Sequence, residues 1–151
     1  MRFYTENQWK PPILMSICLL MDDYNIFLID DDNLLNYLNT ETVRKESPKS
    51  IIRVFENAEN AIEALKDIII KNNASFPAFI FIDINMPNMD AWEFLELFHQ
   101  LPLKSISNCK IVIQTSSSDP IDIQKSKIYP SVLNIVSKPL TPAILQLVFN
   151  A

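Results

Sequence analysis

Four apolar runs in the 151-residue chain each close on a polar or charged residue. NIFLID ends in Asp30, with Asp31 and Asp32 directly behind it; AFIFID ends in Asp83, KIVIQT in Thr115, and SVLNIVSK in Lys138. A carboxylate closing a buried run is costly unless it is paired or neutralised. Singly, each residue has an ordinary explanation. Asp31 or Asp32 could cap the following helix, Thr115 could be a strand-end hydroxyl, and Lys138 a solvated lysine. Jointly they are harder to dismiss. Asp30, Asp31 and Asp83 bring three negative charges, and Lys138 offsets one. Carboxylates so close would raise a pKa or force the site open, and a divalent cation removes the conflict. An all-oxygen donor set suits Mg2+. An aspartate beside Mg2+, an ammonium and a hydroxyl is a setting for phosphoryl transfer, with the carboxylate as nucleophile and an acyl phosphate as product.

These residues can meet only if the runs that carry them are neighbouring strands. SIIRVF joins the four to make five short segments rich in Ile, Val and Phe, as strands buried on both faces are. Helical spacing fills the gaps. Leu34, Leu35 and Leu38 share one face of the first helix; Ala61, Ile62, Leu65 and Ile69 line the second; Trp92, Leu95 and Phe98 turn inward from the third. Asp119–Pro120 and Thr141–Pro142 read as a cap followed by proline in the first helical turn. Five strands alternating with five helices predict a doubly wound parallel α/β sheet. In such sheets ligands bind outside the carboxyl ends of the strands, where the strand order reverses. Those ends carry Asp30, Asp31, Asp83, Thr115 and Lys138.

Composition narrows the function further. A net charge of −5 and a pI near 4.8 leave no basic footprint for nucleic acid. Glycine is absent, which excludes a Gly-rich phosphate loop; asparagine, tolerant of left-handed backbone, is expected to fill turns. A single histidine, His99, excludes multi-histidine metal sites and is expected near a helix end. Cys18 and Cys109 have neither metal nor redox spacing, which favours a reduced, cytoplasmic setting. Residues 1–24 form an N-terminal extension that packs on, or trails from, the domain. Its apolar run Ile13–Met21 is too short to span a bilayer, which needs about 20 residues, and it lacks a signal-peptide cleavage pattern. Residues 25–151 make one domain, with no output domain expected.

At FLIDDDN, FIDINMPNMDAWEFL, IVIQTSS and VSKPLTP the chain resembles the receiver domain of two-component response regulators, from about Asn25 to Phe149. The resemblance implies a flavodoxin-like sheet of order 2-1-3-4-5 and a single-domain regulator. It makes Asp83 the phosphoacceptor, served by a histidine kinase or histidine phosphotransfer protein. Asp31 would bind Mg2+ directly, Asp30 mainly through water, and Asn85 through its backbone carbonyl. Thr115 and Lys138 would contact the phosphoryl group, with a cis bond between Lys138 and Pro139. The partner face implied is helix four, strand five and helix five, including Ile123, Lys127, Ile135 and Leu145. A homodimer is compatible with it; nucleic acid and membrane are not implied.

Three positions depart from the family pattern, one of them mildly: Ser116 stands where a small residue is usual. Ala91 replaces a usual glycine, so the turn there is expected to be altered, and Ile135 replaces an aromatic that commonly swings inward on activation. Met86, Met89, Trp92, Tyr37 and Tyr129 read as packing residues. Such a protein is not an enzyme beyond its self-phosphorylation and self-dephosphorylation. The alternatives are a degenerate receiver that binds partners without phosphorylation and a haloacid-dehalogenase-type phosphohydrolase. The latter wants an acid where Asn85 stands.

Overall fold

The computed structural model describes residues 23–73, 75–117 and 119–151. The first 22 residues of the expected extension, Cys18 and Ile13–Met21 among them, lie outside the described residues. Strands β1 (Asn25–Ile29), β2 (Ile51–Phe55), β3 (Phe79–Asp83), β4 (Lys110–Thr115) and β5 (Val132–Ser137) form one sheet of order β2-β1-β3-β4-β5. Every neighbouring pair is parallel. This is the flavodoxin-like order, and its reversal brings the ends of β1 and β3 side by side.

Six helices rather than five accompany the strands among the described residues: α1 (Asn33–Glu46), α2 (Ala58–Ile70), α3 (Ala91–Phe98), α4 (Leu103–Ile106), α5 (Pro120–Ser126) and α6 (Pro142–Phe149). The extra one, α4, is a single turn behind Pro102. Four residues are too few for a helical period to register in the sequence.

Helix starts follow the cap chemistry. Asp32 accepts from the Leu34 and Leu35 amides at 2.9 and 3.2 Å. Asp90 and Glu93 make a reciprocal capping box. Asp119 and Thr141 cap α5 and α6, each with proline in the first turn. With no glycine available, Asn72 and Asn88 take the positive φ values, 48° and 68°. No positive φ falls at Ala91, where an altered turn is expected; the left-handed residue of that loop is Asn88. Ala91 is the fully buried first residue of α3.

Side chains alternate across the sheet. Phe27, Ile29, Ile80, Ile82, Ile111 and Ile113 pack with α2 and α3, whereas Ile26, Leu28, Phe79, Phe81 and Val112 pack with Val43, Leu145 and Val148. Trp92, Leu95 and Phe98 are buried as expected. On α2, Ile68 completes the stripe begun by Ala61 and Leu65, and Ile69 is only half-buried.

Helix α1 overturns its expected face. Leu34 and Leu38 are 65% and 41% exposed, and Tyr37, expected to pack, is 62% exposed. The buried stripe is Asn36, Asn39 and Val43 instead. Those positions share one face at helical spacing, and hydrogen bonds satisfy most of the amide groups that burial would otherwise penalise. Leu145, expected on the partner face, is fully buried on the inner side of α6. Tyr129 stacks on Trp92 and His99, and His99 caps the end of α3.

Candidate metal and phosphoryl site

Strand β1 delivers Asp30 one residue past its last pair, and β3 ends on Asp83; both carboxylates are buried, at 1% and 6% exposure. Asp31 is exposed beside them. One carboxylate oxygen from each of Asp30, Asp31 and Asp83 lies within 4.8 Å of the others. Lys138 leaves the end of β5 and places Nζ 2.7 Å from Asp30 Oδ2 and 2.8 Å from Asp83 Oδ1. It is therefore no solvated lysine. The Lys138–Pro139 bond is cis.

The remaining contacts set the donor geometry. Asp30 Oδ1 accepts from the Asp32 amide at 2.8 Å, and Asp30 Oδ2 has no other donor beyond the ammonium. The Asn85 amide points at Asp83 Oδ1 from 3.4 Å, at the long end of a hydrogen bond. Thr115 is the last residue of β4, 6% exposed, and its hydroxyl faces its own loop. It donates to Ser117 O at 2.7 Å and accepts from Ser117 N at 3.1 Å. Asp30, Asp31, Asp83, Asn85 and Lys138 are thus gathered, while the Thr115 hydroxyl is engaged elsewhere. Beside Thr115, a cavity of about 220 Å3 is lined by Ser117, Asp119, Ile123 and the half-buried Ile135.

Electrostatics follow from burial and the one ammonium. Burial raises the Asp83 carboxyl above its ordinary range; the hydrogen bond and charge of Lys138 oppose this, the Asp30 charge adds to it, and the Asn85 amide opposes it. Burial pulls Lys138 down, but hydrogen bonds to Asp30 and Asp83 and their charges outweigh it and leave the ammonium more basic than usual. Three carboxylates against one ammonium still leave two negative charges uncompensated. An oxygen-only acidic cluster of this kind fits a hard divalent cation.

Three polar residues near the site escape a reading of strand ends. Asn36 donates from Nδ2 to the Asp30 carbonyl at 2.7 Å. Asn39 donates from Nδ2 to Gln114 Oε1 at 3.0 Å and accepts from the Leu140 amide at 2.9 Å. Their signal in the sequence is weak: two amides three apart on a helix, and one glutamine inside KIVIQT.

A doubly wound parallel sheet with an acidic cluster and a lysine at its carboxyl edge defines the class. The chain belongs to the response regulator receiver domain family, whose model matches residues 26–149. It is similar to the structure of a two-component response regulator from Cytophaga hutchinsonii, at 32% identity over 85% of this chain and 96% of that one, with a TM-score of 0.78. A response regulator receiver protein from Dyadobacter fermentans shares the fold at 22% identity, covering 83% and 94% of the two chains, TM-score 0.72. The receiver domain of Saccharomyces cerevisiae Ssk1, solved with the histidine phosphotransfer signalling protein Ypd1, shares it at 18% identity, covering 85% and 87%, TM-score 0.66. No curated protein matches the chain in sequence. Among the described residues, no helix is long and apolar enough to cross a membrane.

Proposed function

We propose that the protein accepts a phosphoryl group on Asp83 from a phosphohistidine of a histidine kinase or histidine phosphotransfer protein. The supporting observation is the meeting of Asp83 with Asp30, Asp31 and Lys138 at one sheet edge. An ionised Asp83 oxygen attacks phosphorus; the O–P bond forms as the P–N bond breaks, and the donor imidazole leaves. The Lys138 ammonium, already on Asp83, follows the charge onto the phosphoryl oxygens. The Thr115 hydroxyl releases Ser117 and donates to one of them. Asp30, Asp31, Asp83 and the Asn85 carbonyl would hold Mg2+, which supplies charge neutralisation at the transferring group.

That a receiver neighbour was solved with a histidine phosphotransfer protein supports a donor of this kind. No separate substrate is turned over, because the chemistry ends with self-phosphorylation and self-dephosphorylation in the cytoplasm. The change passes to a protein partner through α5, β5 and α6, where Ile121, Ile123, Lys127 and Leu147 are exposed. A phosphorylation-independent role has no observation in its favour, since the acceptor, acid and lysine positions are all filled. Incubation with Mg2+ and acetyl phosphate, followed by intact mass measurement, tests the reading. One added phosphoryl group, dependent on Mg2+ and lost in Asp83→Asn, is expected. Wild-type protein that gains no mass would refute it.

A further inference from the structure

Helix α1 buries two asparagines while leaving Leu34 and Leu38 on the surface. A chain built for stability alone would do the reverse, because a buried amide must recover its lost hydration through hydrogen bonds. What those amides touch gives the arrangement a purpose. Asn36 holds the Asp30 carbonyl. Asn39, three residues on and on the same face, holds the Gln114 side chain with Nδ2 and the Leu140 amide with Oδ1. Asn39 and Gln114 are 1% and 0% exposed, so neither bond competes with bulk water.

The two ends of the clamp bracket Lys138. On one side, the Lys138 amide donates to Thr115 O at 3.0 Å, tying it to the residue that follows Gln114. On the other, Pro139 has no N–H to offer, so Leu140 carries the first amide after Lys138 that can anchor the turn. That amide is the one Asn39 takes. Because α1 also grips Asp30 through Asn36, one rigid element sets the distance between the lysine turn and its carboxylate partner.

We propose that Asn39 and Gln114 are positioning residues: through Leu140 and the end of β4 they hold the Lys138 ammonium against Asp30 and Asp83. Neither amide touches the reacting atoms; both act through Lys138. This deepens the proposed phosphoryl acceptance and rests on it for its consequence, but the clamp itself can be tested without any phosphoryl donor. Lys138 and a divalent cation compete for the same carboxylates. A loosened lysine therefore slows phosphoryl uptake while leaving the carboxylates freer to bind metal. General destabilisation would weaken both.

The experiment compares wild type with Asn39→Leu/Gln114→Met, which replaces the amide pair by apolar groups of similar size, and with Gln114→Met alone as a milder variant. Mg2+ affinity is measured by titration calorimetry, uptake from acetyl phosphate by intact mass, and stability by thermal melting. Folded variants should take up phosphoryl roughly tenfold more slowly, within the loss that a misplaced group causes, yet bind Mg2+ several-fold more tightly. Equal or weaker Mg2+ affinity in a folded variant, or no Mg2+ binding in either protein, overturns the clamp. If wild type takes up no phosphoryl group, the functional reading fails, and the Mg2+ comparison still decides the positioning role.

Discussion

The Lys138 ammonium lies 2.8 Å from Asp83 Oδ1, on the carboxylate proposed to react, and the same nitrogen reaches Asp30 Oδ2 at 2.7 Å. One cation thus holds two buried acids that would otherwise repel. Removing it leaves both uncompensated, and breaking a buried ion pair from one side is strongly destabilising. Lys138→Met is expected to cost about 3 kcal/mol at pH 7 by urea denaturation. Mg2+ should shrink the deficit by taking over the neutralisation.

The wild-type protein should itself be stabilised by Mg2+, because the folded state alone gathers the three carboxylates. At a hundred times the dissociation constant the gain is about 2.7 kcal/mol, read as a rise in melting temperature that a chelator reverses. Asp31→Asn should reduce it. The same rise in Asp31→Asn as in wild type would argue against binding at this cluster.

Two pH windows, one acid and one basic, should both show stability falling as pH rises. The raised Lys138 pKa adds stability that is fully present below the ordinary 10.5 and is lost as pH rises through the still higher folded value. The raised Asp83 pKa has the same sign in a lower window, where it leaves the ionised group a stability cost at neutral pH. Between 3.8 and its folded value the native state keeps a proton that the unfolded chain has released, so this group's contribution falls as pH rises. Stability measured against pH in wild type and Asp83→Asn should differ across that lower window.

Asn88 stands at φ 68° in the loop between β3 and α3. Alanine there would meet the left-handed penalty of a Cβ, so Asn88→Ala should cost about 1 kcal/mol, whereas Asn88→Gly should not destabilise. On α1, Leu34→Gln should change stability by less than about 0.5 kcal/mol. Val43→Ala, at the same helix's buried face, should cost about 2 kcal/mol. Chemical denaturation of the four variants checks both contrasts.

Much of the fold was legible because local rules and burial agreed in β1, β3 and β4. Strands β2 and β5, expected to be buried on both faces, are the edge strands, and β2 leaves Ile51 and Val54 63% and 45% exposed. Apolar runs of five or six residues marked every strand, and Asp119–Pro120 and Thr141–Pro142 marked the starts of α5 and α6. The single turn α4 was too short for periodicity to reveal. The face of α1 was misjudged because Leu34, Leu35 and Leu38 obey the helical repeat, as do Asn36, Asn39 and Val43; hydrophobicity chose the former and tertiary hydrogen bonding the latter. The spacing of α6 does not say which of its sides meets the sheet, and Leu145 lies on that side.

Strand length and apolar content are local properties, so the order of residues is enough to put acids, a hydroxyl and a lysine at the strand ends. Packing in three dimensions makes Lys138 bridge Asp30 and Asp83, turns Thr115 to Ser117, and brings buried amides of α1 to β4 and the turn after Lys138. Those contacts join residues as far as 101 positions apart. Their geometry depends on how the helices pack across the sheet, which the spacing of residues along the chain does not contain.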